Sequence, residues 1–402
     1  MSHTDTNFDI VIVGGGIVGV TLACSLATLF KASNTEIKIA LLEAREVKFE
    51  KILKNKFDIR VSAITRASQR VFTDIDVWSI IETKRLCQFT DMFVWDDTGV
   101  GEIQFDSADI GEPYLGNIIE NTVILSSLYE RLSSFENISL ICPAKIKNII
   151  YLNDRAEIKL QDNSSLSTSL VIAADGSLSW VRQQADIIVR GWDYPQDALV
   201  TWVKTEKSHQ HTAWQRFMPD GPLAFLPLQN GFSSIVWSST PEHIQQLLQF
   251  SDEEFRSVLT KAFSSRLGQV VENGPRARFP LRYFVAEHYI KPRLALIGDA
   301  AHTMHPLAGQ GVNVGIQDVA ALSGILLEAK LQKKDLGSTA ILRRYERSRR
   351  AENTPMLATV NGFQRLFSSN DPALTWARNT GMKLTQNIPM LKNRIMRQAM
   401  GL

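Results

Sequence analysis

Phe8-Asp9-Ile10-Val11-Ile12-Val13-Gly14-Gly15-Gly16-Ile17-Val18-Gly19 decides the fold. Its first half is a short apolar, β-branched run, the pattern of a strand buried on both faces. Its second half places glycines at Gly14, Gly16 and Gly19. Residues 17–30 then read as a helix, and Ile37 to Leu42 reads as a second strand. The result is a βαβ unit opened by a dinucleotide-binding turn. Gly14 permits the tight turn, Gly16 lets backbone amides approach a pyrophosphate, and Gly19 lets the helix pack against the strand. The helix start supplies free N–H groups and partial positive charge. Glu43, 24 positions past Gly19, ends the second strand where a carboxylate meets ribose hydroxyls.

Working outward, Leu170 to Ala174 reads as a short strand closed by the turn Asp175-Gly176, with Ser179 and Arg182 just downstream. From about 186 to 275 aromatic and β-branched runs alternate with turn signals, giving expected strands at Ala198–Thr205, Trp214–Met218, Leu223–Leu228 and Ser233–Ser238. One helix is expected there, roughly 251–263. Leu294 to Ile297 reads as a strand leading into a second glycine-rich segment, Gly298-Asp299-Ala300-Ala301-His302-Thr303-Met304-His305-Pro306-Leu307-Ala308-Gly309-Gln310-Gly311-Val312-Asn313. Asp299 is placed to accept hydrogen bonds from a polyol, and Gly309 to Gly311 can present N–H groups at the start of a helix from about 311. Residues 341–402 read as helices broken at Asp371-Pro372 and at Pro389.

Composition narrows the class. Of 402 residues, 44% are hydrophobic and 21% charged, which is globular and not disordered composition. No uninterrupted apolar run approaches the roughly 18 residues of a membrane span, and Met1 to Asn7 lacks a secretory pattern. Cys24, Cys87 and Cys142 are scattered, so a reducing cytoplasm is expected. His302 and His305 lie three apart but Pro306 intervenes and no third ligand is near, so no metal is expected. Net charge is +2 overall, but residues 341–402 carry 11 Lys+Arg against 3 Asp+Glu. That segment is therefore +8 on a body of −6, a pattern suited to an anionic membrane surface or partner, or to solvated helices with basic faces.

These segments, in this order, resemble the class A flavoprotein aromatic hydroxylases of the para-hydroxybenzoate hydroxylase fold. Their nearest likeness is the ubiquinone-biosynthesis branch, the UbiH/UbiF/UbiI (VisC) hydroxylases. Arg60-Val61-Ser62-Ala63-Ile64, Ile119-Glu120-Asn121-Thr122-Val123, Ala224-Phe225-Leu226-Pro227-Leu228 and the stretch from His305 to Gly311 carry the resemblance. Leu342 to Arg349, Arg397 to Leu402 and Trp192-Asp193-Tyr194 look most like UbiI, while Trp214 to Pro222 looks equally like UbiF.

The resemblance implies an α/β fold with a Rossmann-like FAD domain, an inserted antiparallel-sheet substrate domain and C-terminal helices. The expected division is 1–75, 100–185 and 276–340 for FAD, 76–99 and 186–275 for substrate, and 341–402 for the helices. It implies FAD as cofactor, with NAD(P)H as electron donor. Glu43 would bind the adenosine ribose and Asp299 the ribityl chain. Asp175 and Arg182 would serve the shared FAD/NAD(P)H region, and Arg60 would lie near flavin and pyrophosphate. Pro306, Gly309, Gln310, Gly311, Val312 and Asn313 would line the flavin ring, with His305, Pro306 and Gln310 as positioning candidates; no proton-abstracting residue emerges. Many relatives carry a polar FAD ligand where this chain has Leu125, so that contact is not expected. The implied reaction is hydroxylation of a polyprenylphenol in ubiquinone biosynthesis, at C5, through NAD(P)H-reduced flavin, O2 and a C4a-hydroperoxide. Alternatives are a C6 or C1 hydroxylase of the pathway, or a flavin-bound scaffold of a quinone-synthesis complex. The expected setting is cytoplasmic, compatible with peripheral contact at the inner membrane and with oligomers, and without nucleic acid.

Overall fold

The computed structural model describes residues 7–48, 57–97, 101–303, 311–367 and 372–402. The strand Asn7–Val13 is the centre of an eight-stranded sheet. It pairs in parallel with Ile39–Leu42 on one side and Ser165–Ala173 on the other. Ile138–Ile141 and Leu294–Leu296 continue the parallel run outward. Ile10, Val11, Ile12, Leu41, Val171 and Ile172 are wholly buried, as parallel strands covered on both faces require. The helices Ile17–Ala32, Gly311–Leu331 and Asn121–Leu132 contribute to this core.

A second sheet of nine strands is mostly antiparallel. The long strand Val189–Thr205 pairs with Phe232–Ser239 and with Ala277–Ala286. The order runs on through Gly221–Pro227, Thr212–Met218 and Asp91–Asp96 to Glu102–Asp106 at the edge. Sheet membership thus departs from the expected division at 99/100 and 275/276. Glu102–Asp106 pairs with Asp91–Asp96, and Ala277–Ala286 with Val189–Val200, so both join the second sheet. Alternation marks a strand but does not say which distant strand accepts its hydrogen bonds.

The expected helix near 251–263 is Asp252–Ala262, opened by a capping box between Ser251 and Glu254. A second helix, Pro241–Gln249, precedes it, with the Thr240 hydroxyl accepting from the His243 N–H and Pro241 in the first turn. The C-terminal segment is helical over Thr339–Phe367, Pro372–Asn387 and Pro389–Met400. Gly311–Leu331 is long and apolar enough to cross a bilayer by length and composition. It is instead a core helix, largely buried, with the buried carboxylate of Asp318 in its middle.

Candidate functional site

Four of the segments singled out in the sequence meet at one edge of the parallel sheet. The strands ending at Leu296, Ala173, Val13 and Leu42 are neighbours in that order and point the same way. Their carboxyl ends deliver the Gly298-Asp299 turn, the Asp175-Gly176 turn, the glycine turn and Glu43. Ligands of open α/β sheets bind at this edge.

Each glycine of the first turn has its own reason. Gly14 holds φ at +113°, and a Cβ there would overlap the Ala174 carbonyl. A Cβ on Gly19 would overlap the Gly14 carbonyl. Around Gly16 no described atom lies within 4 Å of the Cβ position, so the space beside the helix start is open. Gly16 is the N-cap residue, and among the described residues no side chain caps this helix; its first turn has no acid. Its free amides therefore face the opening with their partial positive charge uncompensated. Glu43 accepts the Gly15 N–H at 2.8 Å and the Arg45 N–H at 2.9 Å, and the Tyr129 hydroxyl donates to the Gly15 carbonyl at 3.0 Å. Glu43 is half-buried, fixed against the turn, and each carboxylate oxygen keeps a further lone pair.

Asp175 and Arg182 both make local bonds that shape this edge. Asp175 accepts from the Ser179 hydroxyl at 2.5 Å and the Val181 N–H at 3.1 Å. The buried Arg182 donates to the carbonyls of Ala300 and Ser177, both at 2.9 Å. Arg182 thus clamps the Asp175 turn to the Gly298–Ala300 turn.

The chain crosses between the two sheets at Gly298–Thr303. Leu294–Leu296 belongs to the parallel sheet, and His302–Thr303 pairs with Phe284 and Val285 of the second sheet. Asp299 lies in this crossing. Its side chain meets solvent, yet protein surrounds it closely enough for desolvation to raise its pKa, against the opposing pull of His302 and Arg60. Arg60 is exposed, with its guanidinium 5.8 Å from the centre of the Phe279 ring in the second sheet.

Helix Gly311–Leu331 starts beside the same crossing. A Cβ at Gly315 would press on Val18 and Gly298, so the two glycine segments touch here. Asn313 is buried and accepts the Thr65 N–H at 3.1 Å while donating to the Ala63 carbonyl at 2.7 Å. It anchors the helix start to the strand after Arg60. At Gly311 the Cβ position has no described atom within 4 Å, and Val312 is half-buried. His305, Pro306, Gly309 and Gln310 lie outside the described residues.

Sequence reading missed the network beneath Asp299. Asp318, fully buried, accepts from the Gly298 N–H at 2.9 Å and the Arg349 Nε at 2.7 Å, and lies 2.6 Å from His302 Nε2. Burial alone would depress the His302 imidazolium, but the Asp318 carboxylate overrides it and raises the pKa. Burial would raise Asp318, but His302 and Arg349 hold it low. The signal available was an aspartate amid the mostly apolar stretch Val314 to Leu327. Leu125, half-buried, packs on the main core, and burial pushes the Cys24 thiol up to about 12. A cleft of about 420 Å3, lined by Trp202, Leu248, Asp252, Asn273, Gly274, Pro275 and Arg276, contains none of the motif residues.

Residues 153–359 match the family described as FAD binding domain. The 3-demethoxyubiquinol 3-hydroxylase of Escherichia coli is 36% identical over 400 residues, covering 99% of this chain and all of that protein. The chain belongs to the FAD-dependent ubiquinone-biosynthesis hydroxylase family. Rat ubiquinone biosynthesis monooxygenase COQ6 is 35% identical, covering 98% of this chain and 91% of that protein. Ubiquinone hydroxylase UbiL of Rhodospirillum rubrum is also 35% identical, covering 98% and 89%. Among solved structures, p-nitrophenol 4-monooxygenase PnpA of Pseudomonas putida superposes with a TM-score of 0.78 at 19% identity, covering 99% of each chain. Pseudomonas aeruginosa pqsL gives 0.73 at 20% identity, covering 94% and 100%. The fold is that of para-hydroxybenzoate hydroxylase-type flavin monooxygenases.

As a member of this family of hydroxylases the protein is an FAD-dependent monooxygenase with NAD(P)H as reductant. The geometry suits FAD. The open space at Gly16, the uncapped helix start and the carboxylates at the two strand ends offer sites for a pyrophosphate between two polyols.

Proposed function

We propose that the protein hydroxylates the aromatic ring of a polyprenylphenol intermediate of ubiquinone biosynthesis. The observation that supports this most is the end-to-end match to the E. coli demethoxyubiquinol hydroxylase. For ring position we favour C5, on the likeness of Trp192 to Tyr194, Leu342 to Arg349 and Arg397 to Leu402 to the UbiI type. Hydroxylation of a demethoxylated quinol is the second reading, favoured by the name of that same E. coli relative.

In this reading the amides at Gly16 to Val18 hold the pyrophosphate, Glu43, fixed by the Gly15 N–H, the adenosine ribose, and Asp299 the ribityl chain. Arg60 adds positive charge at the rim. The amides near Gly311 hold negative charge on the ring, and Asn313 keeps that helix start in register with Ala63 and Thr65. Bound FAD supplies what the side chains lack, the activation of dioxygen for transfer to an electron-rich ring carbon. The chain's own task is to orient the phenol and keep water out.

Deletion of the gene, followed by mass spectrometry of accumulated quinone precursors, tests the assignment. A polyprenylphenol lacking the C5 oxygen supports the first reading. A demethoxylated quinol supports the second, and an unchanged quinone pool contradicts both.

A further inference from the structure

The helices Pro372–Asn387 and Pro389–Met400 each use one face to grip the protein. Met382 packs with Val94, Ile103 and Phe217. Asn379 Oδ1 accepts the Gly101 N–H at 3.1 Å, and Gln386 Oε1 accepts the Gln104 N–H at 3.0 Å. In the second helix Met396 and Met400 pack with Ile110 and Leu115. Lys392 pairs with Asp109 at 2.8 Å, and Asn393 and Arg397 donate to the carbonyls of Asp109 and Ile110 at 3.0 and 3.1 Å. Both helices are thereby held on the edge strand Glu102–Asp106 and the turn that follows it.

The remaining face is apolar and open. Leu384, Ile388, Met390, Leu391 and Ile395 are 55, 44, 84, 41 and 37% exposed. Leu391 lies four residues before Ile395 in the helix Pro389–Met400, so these two share a face; Leu384 belongs to the preceding helix, and Ile388 is the extended residue that joins the two. Side chains that are not needed to pack the fold and cluster in water mark a contact surface. Residues 372–402 also contain five Lys/Arg and no Asp or Glu. Lys383 and Arg394 are exposed and adjoin Leu384 and Ile395 in the chain. A second copy using this face through a two-fold axis would bring cations against cations. An anionic bilayer answers both features, headgroups for the cations and hydrocarbon for the apolar side chains.

We infer that this outer face docks on an anionic lipid surface. Leu384, Ile388, Met390, Leu391 and Ile395 enter the headgroup–acyl boundary, and Lys383 and Arg394 sit among the headgroups. The edge of the nine-stranded sheet is then held at the bilayer. The purpose of this contact rests on the polyprenylphenol reading, since such a substrate dissolves in the membrane; the contact itself does not.

The test is co-sedimentation of the flavin-loaded full chain with vesicles of phosphatidylcholine alone or of equal parts phosphatidylcholine and phosphatidylglycerol. Wild type is expected to partition onto the mixed vesicles at low salt and to be released by high salt. Lys383→Ser and Arg394→Ser should each lower partitioning about fivefold. Ile388→Asp with Leu391→Asp should abolish it, with flavin content and melting temperature unchanged. Met390→Ser, at the most exposed position, should weaken it without touching the fold. Wild type left in the supernatant, variants that partition as wild type does, or a double variant that changes oligomeric state instead of vesicle binding would each overturn the inference. Hydroxylation of a soluble short-chain precursor by protein that ignores vesicles would remove the docking and keep the function. Vesicle binding without any hydroxylation would do the reverse.

Discussion

His302 Nε2 lies 2.6 Å from Asp318 Oδ2, and both side chains are buried. The same carboxylate holds the Gly298 N–H and Arg349, so one group joins the Asp299 turn, the helix Gly311–Leu331 and the C-terminal helix Thr339–Phe367. Removing one partner of a buried pair strands the other charge at a cost of about 3–5 kcal/mol. Asp318→Ala should therefore melt well below wild type in a thermal scan and lose flavin with the displaced turn. A variant that melts like wild type would show the network to be dispensable.

The pair also sets a pH dependence. The pKa of His302 is raised, so its contribution is full below the ordinary imidazole value of about 6.5 and fades as pH rises through the higher folded value. The pKa of Asp318 is lowered, so its contribution is full above about 3.9 and fades as pH falls through the lower folded value. Wild type should be most stable in the mildly acidic range, below about pH 6.5, and lose stability progressively as the pH rises beyond it. His302→Gln should start lower and show a shallower alkaline decline. Parallel curves for the two proteins would refute a charged His302.

The glycines divide into two kinds. Gly14→Ala and Gly19→Ala force a Cβ onto backbone carbonyls and should yield little folded protein. A Cβ added at Gly16 or Gly311 meets no described atom within 4 Å, so Gly16→Val and Gly311→Val should fold. Gly16→Val should then lose FAD by blocking the pyrophosphate. Gly311→Val should keep FAD, held at the adenosine end, but divert NAD(P)H consumption towards hydrogen peroxide. Wild-type coupling in folded Gly311→Val would reduce that helix start to a connector.

Glu43→Ala removes a carboxylate from beside Gly15. A charge-assisted hydrogen bond is worth roughly 1.5–3 kcal/mol, about ten- to a hundredfold in affinity. The variant should purify with much less FAD, read from its visible absorbance. Full occupancy would move the adenosine site elsewhere.

Much of this was legible in the chain because local chemistry encodes it. Gly14 to Gly19 and Glu43 state a strand, a turn, a helix and a second strand within 37 residues. Ser251 and Glu254 announce their helix by a capping box, and Thr240-Pro241 carries the same kind of start signal for the helix before it. What stayed hidden depends on distant partners. Glu102–Asp106 and Ala277–Ala286 read as strands, but only pairing with Asp91–Asp96 and Val189–Val200 assigns them to the second sheet. His302 invited a metal reading because its true partner, Asp318, lies sixteen residues on, and Arg349 thirty-one beyond that. Arg182, expected to serve the cofactor region, bridges two turns of that edge through the Ala300 and Ser177 carbonyls, partners that only the fold brings to it.

The most direct test of the central claim is a single-turnover reaction under isotopically labelled dioxygen. Purified flavin-loaded protein, NAD(P)H and a polyprenylphenol precursor are mixed, and the product is read by mass spectrometry. The account predicts one labelled oxygen atom on the aromatic ring for each NAD(P)H consumed. NAD(P)H oxidation that yields only labelled hydrogen peroxide, with the phenol recovered unchanged, would contradict it.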